Sequence, residues 1–597
     1  MLCVAGQSQR LHYHVPQPLY FTSAPPPPLP SLCTAYNRIN TTYACENAAT
    51  LGELKTVMGF DGWVNSDWGA THSTVAAALA GLDQQMPDDS FFGAALQAAV
   101  AAGTVPQSRV DDMVLRMLTP MYALGLFADP PTPARNLSSP ALSPAHNELA
   151  RNLAMGSITL LKNAGGLLPL NPAGVRSVLV LGDTDTVHGD GSGGVRTPYV
   201  ITPVEGISAL LNTGTWAQPG QNPPSVCSSE DGFDYYQSDS PSTTAASAQE
   251  CCDACGATPG CASWTFDKVS TCWLKPNAAG RRPDASVISG NVTGHPPPAP
   301  LPPGAVNVTY SATQDPAAAA AACAAADVCV MVLGTKSSEG SDRGDLSLPA
   351  WQDAVAAAVV AANPRTVIVA RCPGACFMPW RDAAPAILYE LMPGQESGNS
   401  IAATIFGLNN PSGRLPLSFP ASMNGTWLGT NPMQYPGTDR GHGFPESDYS
   451  ENLLMGYRWY DSPAATEAPL WAFGSGSSYS TFTYSNLAVA GAVSASSSAT
   501  VFAQVCWASG PPGREVVQLY VGKPAAADSP VKELAGFAKV ALVDDASSCA
   551  GVAFPLTAED LSVWDSGAMA WKLVPGTYTL WVGSTSTDIR LTTTITV

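Results

Sequence analysis

The sequence predicts a multidomain protein, α/β over its first two thirds and β at its end. Three observations predict it. Short β-branched runs at 177–181, 328–333, 366–370 and 386–391 alternate with helical stretches, and each is apolar apart from Ser177, Thr366 and Glu390, the pattern of a parallel strand buried on both faces. Six cysteines crowd into residues 227–272, marking a small unit stapled from within. From about residue 481 the chain alternates with period two, at 501–506, 515–521 and 577–582, with turn residues between the runs, as in a β-sandwich. At 597 residues there is room for several domains of about 100–200 residues each.

Residues 1–30 end in the run Pro25 to Pro28 and Pro30, which is extended and does not pack, so this N-terminus is expected to be disordered. Residues 62–66 read as a buried strand that runs straight into Asp67; Trp68 follows, and Gly69 and Ala70 let the backbone turn. Residues 94–102 are Ala-rich, and 110–124 are apolar at helical spacing, with Val110, Met113, Val114, Met117 and Leu118 on one face. Residues 128–145 hold several prolines and no periodicity, the mark of a linker. A helix-like run at 145–161 opens the second α/β region, and 350–362 is a helix between two of its strands.

The loop Gly189-Asp190-Gly191-Ser192-Gly193-Gly194 lacks the Lys-Ser/Thr of a phosphate loop and the helix start of a dinucleotide site, so no nucleotide is expected there. In the inserted segment, Cys252 and Cys255 have zinc spacing, but no second well-spaced Cys or His pair accompanies them and the segment contains no His. Disulfides are therefore the expected state, with connectivity left open. The Pro-rich stretch 296–303 closes the insertion.

With 28 Lys+Arg against 47 Asp+Glu, the formal net charge is -19, which argues against nucleic acid or an anionic membrane as a partner. No apolar run is long enough to span a bilayer. Low charge, clustered cysteines and Asn-x-Ser/Thr sequons at Asn40, Asn136, Asn291, Asn307 and Asn424 suit an extracellular, secreted or cell-wall protein. Residues 1–10 have no basic start followed by an apolar core, so the export signal is expected to be missing from this chain.

A carboxylate fixed at a strand end beside an indole suits sugar chemistry: the acid can attack an anomeric carbon and the indole offers a flat face to a pyranose. An isolated Asp also starts turns, and the surroundings decide between the two. Residues 59–70 closely resemble the nucleophile signature of glycoside hydrolase family 3, the β-glucosidases and their relatives. Upstream, Cys33 and Tyr36-Asn37-Arg38-Ile39-Asn40 look like that family's preceding barrel strand, and Ala80-Gly81-Leu82-Asp83-Gln84-Gln85-Met86-Pro87 looks like its last. Leu160-Leu161-Lys162-Asn163 with Leu167-Leu168-Pro169-Leu170 resembles the entry to the family's α/β sandwich. Ser338-Glu339-Gly340-Ser341-Asp342-Arg343 followed by Leu346-Ser347-Leu348-Pro349 resembles its acid/base loop. Met392-Pro393-Gly394-Gln395-Glu396-Ser397-Gly398 and Asn410-Pro411-Ser412-Gly413-Arg414-Leu415-Pro416 continue the match as structural turns. Phe473-Gly474-Ser475-Gly476-Ser477-Ser478-Tyr479 extends it, with Ser477 where the family usually has Leu. The resemblance covers about residues 31–597 with one insertion.

That resemblance implies the C-terminal part of a TIM-type (β/α)8 barrel at 31–127 and a linker at 128–145. It implies an α/β sandwich at 146–220 and 304–419, a connector at 420–480 and a fibronectin-type-III-like domain at 481–597. The insertion at 221–292 resembles an apple/PAN module, which would bind a protein or glycan partner. A whole barrel needs eight strands and about 250 residues, whereas about three strand units are legible here, so the barrel is expected to be N-terminally truncated and to lack the family's Lys-His pair. The implied reaction is retaining release of terminal β-D-glucose from β-linked glucosides or cell-wall oligosaccharides. By the same match Asp67 is the nucleophile, Glu339 the acid/base, Trp68 a wall of the sugar subsite and Tyr36 a hydrogen-bond partner of the nucleophile. Retaining glycosidases place their two carboxyl groups about 5–5.5 Å apart. Glu339 must hold a proton, which favours a buried setting. No metal or organic cofactor is required. The alternatives are a β-xylosidase of the same family, whose nucleophile is often followed by Cys, and a non-catalytic extracellular carbohydrate- or protein-binding protein with a degenerate barrel.

Overall fold

The computed structural model describes residues 3–4, 31–128 and 143–597, apart from 184–186, 196, 198, 219–225, 236–241, 246, 258–260, 262, 270, 276–280, 295–303, 342, 427, 429–430, 442, 544–546 and 569. The chain divides into two units, Met1–Ala141 and Leu142–Val597.

In the first unit, β1 (Cys3–Val4), β2 (Ser31–Thr34) and β3 (Trp63–Ser66) form a parallel sheet in that order. Leu32, Cys33, Val64, Asn65 and Ser66 are buried, as continuous runs in covered parallel strands should be. The expected disorder of residues 1–30 is corrected at Cys3 and Val4, which pair with Cys33 and Thr34 and so satisfy one edge of β2. The rest of that segment, its proline run included, lies outside the described residues. The strand read at 80–87 shrinks to a single parallel bridge from Gln84 to Asn65. Pro87 has no N–H to give a ladder, and the Gln85 side chain instead accepts the Phe91 and Phe92 N–H groups, both at 2.8 Å.

Helices at Ala94–Ala101 and Gln107–Ala123 follow. Only part of the expected apolar face of the second is covered: Val110, Met113 and Met117 pack inward, while Val114 and Leu118 are exposed. The helix is rotated so that Arg109 reaches Asp83 at 2.6 Å and Arg116 donates to the Phe60 carbonyl at 2.7 Å.

The second unit opens with the helix Pro144–Ser157, which starts two residues before the expected boundary because Ser143 caps it, accepting the His146 N–H, and proline occupies its first turn. The helix-like run stops at Ile158, and Thr159–Asn163 forms β4. Further strands are β5 (Ser177–Gly182), β6 (Asn307–Ser311), β7 (Val328–Gly334), β8 (Thr366–Arg371) and β9 (Ala386–Glu390). Their spatial order is β6-β5-β7-β8-β9-β4, parallel except for antiparallel β4 at one edge. Alternate residues serve two cores. Leu179, Leu181, Met331, Leu333 and Ile368 face the helix Ala350–Ala362, while Val178, Val180, Val330, Val332 and Val369 face the helices Pro203–Thr213 and Ser397–Ile405. The motif at 392–398, expected to be a turn, runs at Ser397 into a helix buried at every position. Its small residues permit this, since a Cβ on Gly398 would lie 1.9 Å from the Thr202 carbonyl oxygen.

Between Pro203–Thr213 and β6 stands the cysteine-rich insertion. It is a five-stranded antiparallel sheet, in the order Val226–Tyr235, Arg281–Gly294, Ser263–Phe266, Thr271–Lys275, Ser242–Thr244, with the helix Ala248–Ala257. Cys251–Cys272 and Cys255–Cys261 are disulfides, and Cys252 is also disulfide-bonded. Farther on, a three-stranded sheet (Thr481–Ser494, Ser497–Ser509, Cys549–Leu556) and a four-stranded one (Glu533–Leu542, Gly513–Gly522, Thr577–Gly583, Ile589–Thr596) share one core around Val501, Val505, Leu519 and Leu580. Among the described residues no helix is long and apolar enough to cross a membrane.

Candidate active site

Asp67 is placed by the pairing of β2 with β3. Thr34 is opposite Ser66 at the last ladder position, and one residue on the Asp67 N–H still donates to the Thr34 carbonyl at 3.1 Å. The chain then turns: Gly69 has φ +81, its N–H donates to the Met86 carbonyl at 3.0 Å, and the Ala70 N–H returns to the Asp67 carbonyl at 3.1 Å. Asp67 is half-buried, and its Oδ1 accepts the Trp68 N–H at 2.7 Å. Trp68 is 67% exposed, and Tyr36, two residues past β2, is 51% exposed. Tyr36, Asp67 and Trp68 therefore gather just past the C-terminal ends of two paired strands, with an indole face open to solvent.

A buried charge cluster supports this end of β3. The fully buried Asp83 carboxylate accepts the Val64 N–H at 2.7 Å and meets Lys55 Nζ and Arg109 Nη2, each at 2.6 Å. Beside it, buried Cys45 lies with its Sγ 2.7 Å from Thr34 Oγ1. Burial pushes the Cys45 thiol up, and the Glu46 and Asp67 charges add to the effect, so it stays neutral.

Glu339 belongs to the second unit. The sheet order reverses between β5 and β7: the chain leaves β5, adds β6 on one side, and returns to place β7 on the other. Loops leaving the carboxyl ends of such neighbouring strands line a crevice suited to ligands. Here the loop after β5 carries the glycine run 189–194 and the loop after β7 carries Glu339, and the two pair. Asp190 and Ser338 form a bridge, the Asp190 N–H donates to the Ser337 carbonyl at 2.8 Å, and the Ser192 N–H donates to Glu339 Oε2 at 2.9 Å. Arg343 ties the far end of the loop to the Ala375 carbonyl at 3.2 Å; Asp342 lies outside the described residues. The burial expected for Glu339 is not found, because its loop projects from the sheet end and the side chain is exposed. Beneath the loops, buried Arg371 and Glu390 pair at 2.8 Å and share Ser397.

The arrangement supplies one carboxylate at a strand end beside an aromatic surface, and a second on an exposed loop held by a backbone N–H. Sequence reasoning set the glycine run aside as a non-nucleotide loop and did not find its bond to Glu339. The density of glycine in six residues was the available signal. The charges on Asp83, Lys55 and Arg109 carried no mark of their partnership. Among the described residues, no group of three or more His, Cys, Asp or Glu is placed to hold a metal ion.

Residues 158–479 match the glycosyl hydrolase family 3 C-terminal domain, and residues 515–586 match a fibronectin type III-like domain. A probable β-glucosidase L of Aspergillus terreus is 32% identical over 604 residues, an alignment that covers 94% of this chain and 70% of that protein. The crystal structure of β-glucosidase D2-BGL from Chaetomella raphigera superposes with a TM-score of 0.71 at 27% identity, covering 95% of this chain and 72% of that one. The structure of DesR, a β-glucosidase from Streptomyces venezuelae in complex with D-glucose, gives 0.70 at 28% identity, covering 95% and 76%.

Proposed function

The chain belongs to glycosyl hydrolase family 3, and from that premise we propose that it is a glycoside hydrolase releasing terminal β-D-glucose from β-glucosides by double displacement. The observation that carries the proposal is the placement of Asp67, half-buried at the end of a parallel strand, beside an exposed indole. In the first step an Asp67 carboxylate oxygen bonds to the anomeric carbon as the bond to the aglycone oxygen breaks, and Glu339 gives that oxygen its proton. In the second, Glu339 takes a proton from water, the water oxygen bonds to the anomeric carbon, and the bond to Asp67 breaks. Trp68 supplies the apolar wall against the pyranose, and Tyr36 steadies the nucleophile.

The domain reading rests on the same footing. Residues 31–127 form part of a (β/α)8 barrel, supported by the parallel order of β1, β2 and β3. Residues 146–220 with 304–419 form the α/β sandwich, 221–292 an apple-like module with a protein or glycan partner, 420–480 a connector and 481–597 a fibronectin-type-III-like domain. Cysteine pairing in the insertion, the sandwich and the α/β region supports an extracellular or cell-wall location.

The test is a trap. A dinitrophenyl 2-deoxy-2-fluoro-β-D-glucoside has a leaving group that needs no acid and a fluorine that slows both steps, so the glycosyl-enzyme accumulates. Peptide mapping should find the fluoroglucosyl mass on Asp67. Label on another carboxylate, or none with substrate turning over, defeats the assignment.

A further inference from the structure

We infer that Gly191 is a positioning residue for Glu339, and that this contact decides which carboxyl oxygen carries the catalytic proton; the inference rests on the acid/base role proposed above. Two facts restrict position 191. Its φ is +69, which L side chains rarely adopt. A Cβ built there would lie 2.7 Å from Glu339 Cβ and 3.0 Å from the Glu339 nitrogen, closer than nonbonded carbon atoms approach. Any side chain at 191 must therefore displace the root of the Glu339 side chain.

The neighbours of Gly191 act in the same direction. Asp190 is bonded to Ser337 and bridged to Ser338, and the Ser192 N–H donates to Glu339 Oε2 at 2.9 Å. Those links join residues 147 or 148 positions apart, and each involves backbone on at least one side. In the acid form Oε2 accepts the Ser192 N–H as the carbonyl oxygen, so the proton resides on Oε1. Oε1 is then the atom that gives the proton to the departing glycosidic oxygen and later takes one from water.

The test compares the full chain with Gly191→Ala, Glu339→Ala and Gly165→Ala. Gly165 also has a left-handed φ, +62, but open space where a Cβ would go, so it isolates the backbone effect. The substrates are phenyl and dinitrophenyl β-glucosides. Misplacing an acid matters only where the leaving group needs a proton. Gly191→Ala should lose about a hundredfold in kcat/KM on the phenyl glucoside and keep most of its rate on the dinitrophenyl one, while Gly165→Ala keeps both. Equal losses on both substrates, or none on either, overturn the positioning role if Glu339→Ala does show the split. If Glu339→Ala shows no split, the acid/base reading is what fails. A measurement independent of activity keeps the contact testable. The Ser192 amide should exchange about tenfold faster in Glu339→Ala, where its acceptor is gone; an unchanged rate overturns the inference.

Discussion

Lys55 Nζ lies 2.6 Å from Asp83 Oδ2, with the Asp83 side chain fully buried and that of Lys55 9% exposed. Arg109 approaches the other oxygen, and the Val64 N–H completes the set, so one carboxylate joins a helix and β3 three residues before Asp67. Asp83→Ala should lower the opening free energy of residues 62–68 by about 3–5 kcal/mol, the cost of leaving buried charges unpaired. Asp83→Asn, which keeps an oxygen for the Val64 N–H, should lose less. Amide exchange of the peptide spanning Val64 measures both. A loss below about 1 kcal/mol in the alanine variant would place the cluster with weak surface pairs instead.

Glu339→Ala should separate the two chemical steps. With a dinitrophenyl β-glucoside, glycosylation should survive because the leaving group needs no proton, and deglycosylation should stall for want of a base, giving a burst and then a slow steady state. Azide should relieve the stall and yield the β-glucosyl azide. An α-azide, or no response to azide, removes Glu339 from a retaining mechanism.

Cysteine pairing gives a third test. Non-reducing peptide maps of the full chain from an oxidising host should show Cys251–Cys272, Cys255–Cys261, Cys323–Cys329 and Cys506–Cys549 joined. Cys33, Cys45, Cys372 and Cys376 are buried thiols and should alkylate only after unfolding. Alkylation of Cys251 or Cys272 before reduction would show that the insertion is not stapled.

Gly182 closes β5 where the sheet order reverses. Its φ is +93, and a Cβ there would lie 1.9 Å from the Val332 carbonyl oxygen, which also accepts the Asp183 N–H at 3.0 Å. Gly182→Ala should destabilise the α/β region by at least about 1–3 kcal/mol, the scale of backbone strain alone. Gly174→Ala meets open space at an ordinary φ and should be neutral or slightly stabilising. Scanning calorimetry of the two variants checks the contrast, and equal midpoints would contradict it.

The sequence by itself determined the elements whose residues need no knowledge of their neighbours. Val328–Leu333 and Val367–Ala370 are apolar at every position because both faces are covered, so their composition alone declares them strands. The helix Ala350–Ala362 falls where residues 350–362 are helical by pattern. Asp67 stands at a strand end in the sequence and in the structure alike, since a short apolar run closed by Asp-Trp-Gly is a local signal. Tertiary structure alone decided what depends on partners. Val114 and Leu118 share a helical stripe with Met113 yet stay exposed, because periodicity defines a face and not what turns it, and here Arg109 and Arg116 turn the helix toward Asp83 and the Phe60 carbonyl. Thr159–Asn163 ends a helix-like run as an antiparallel edge because β9 offers it a ladder, from Leu388 to Leu160. The bond from Ser192 to Glu339 exists because two strands far apart in the chain lie side by side, and no local pattern in either loop encodes that adjacency.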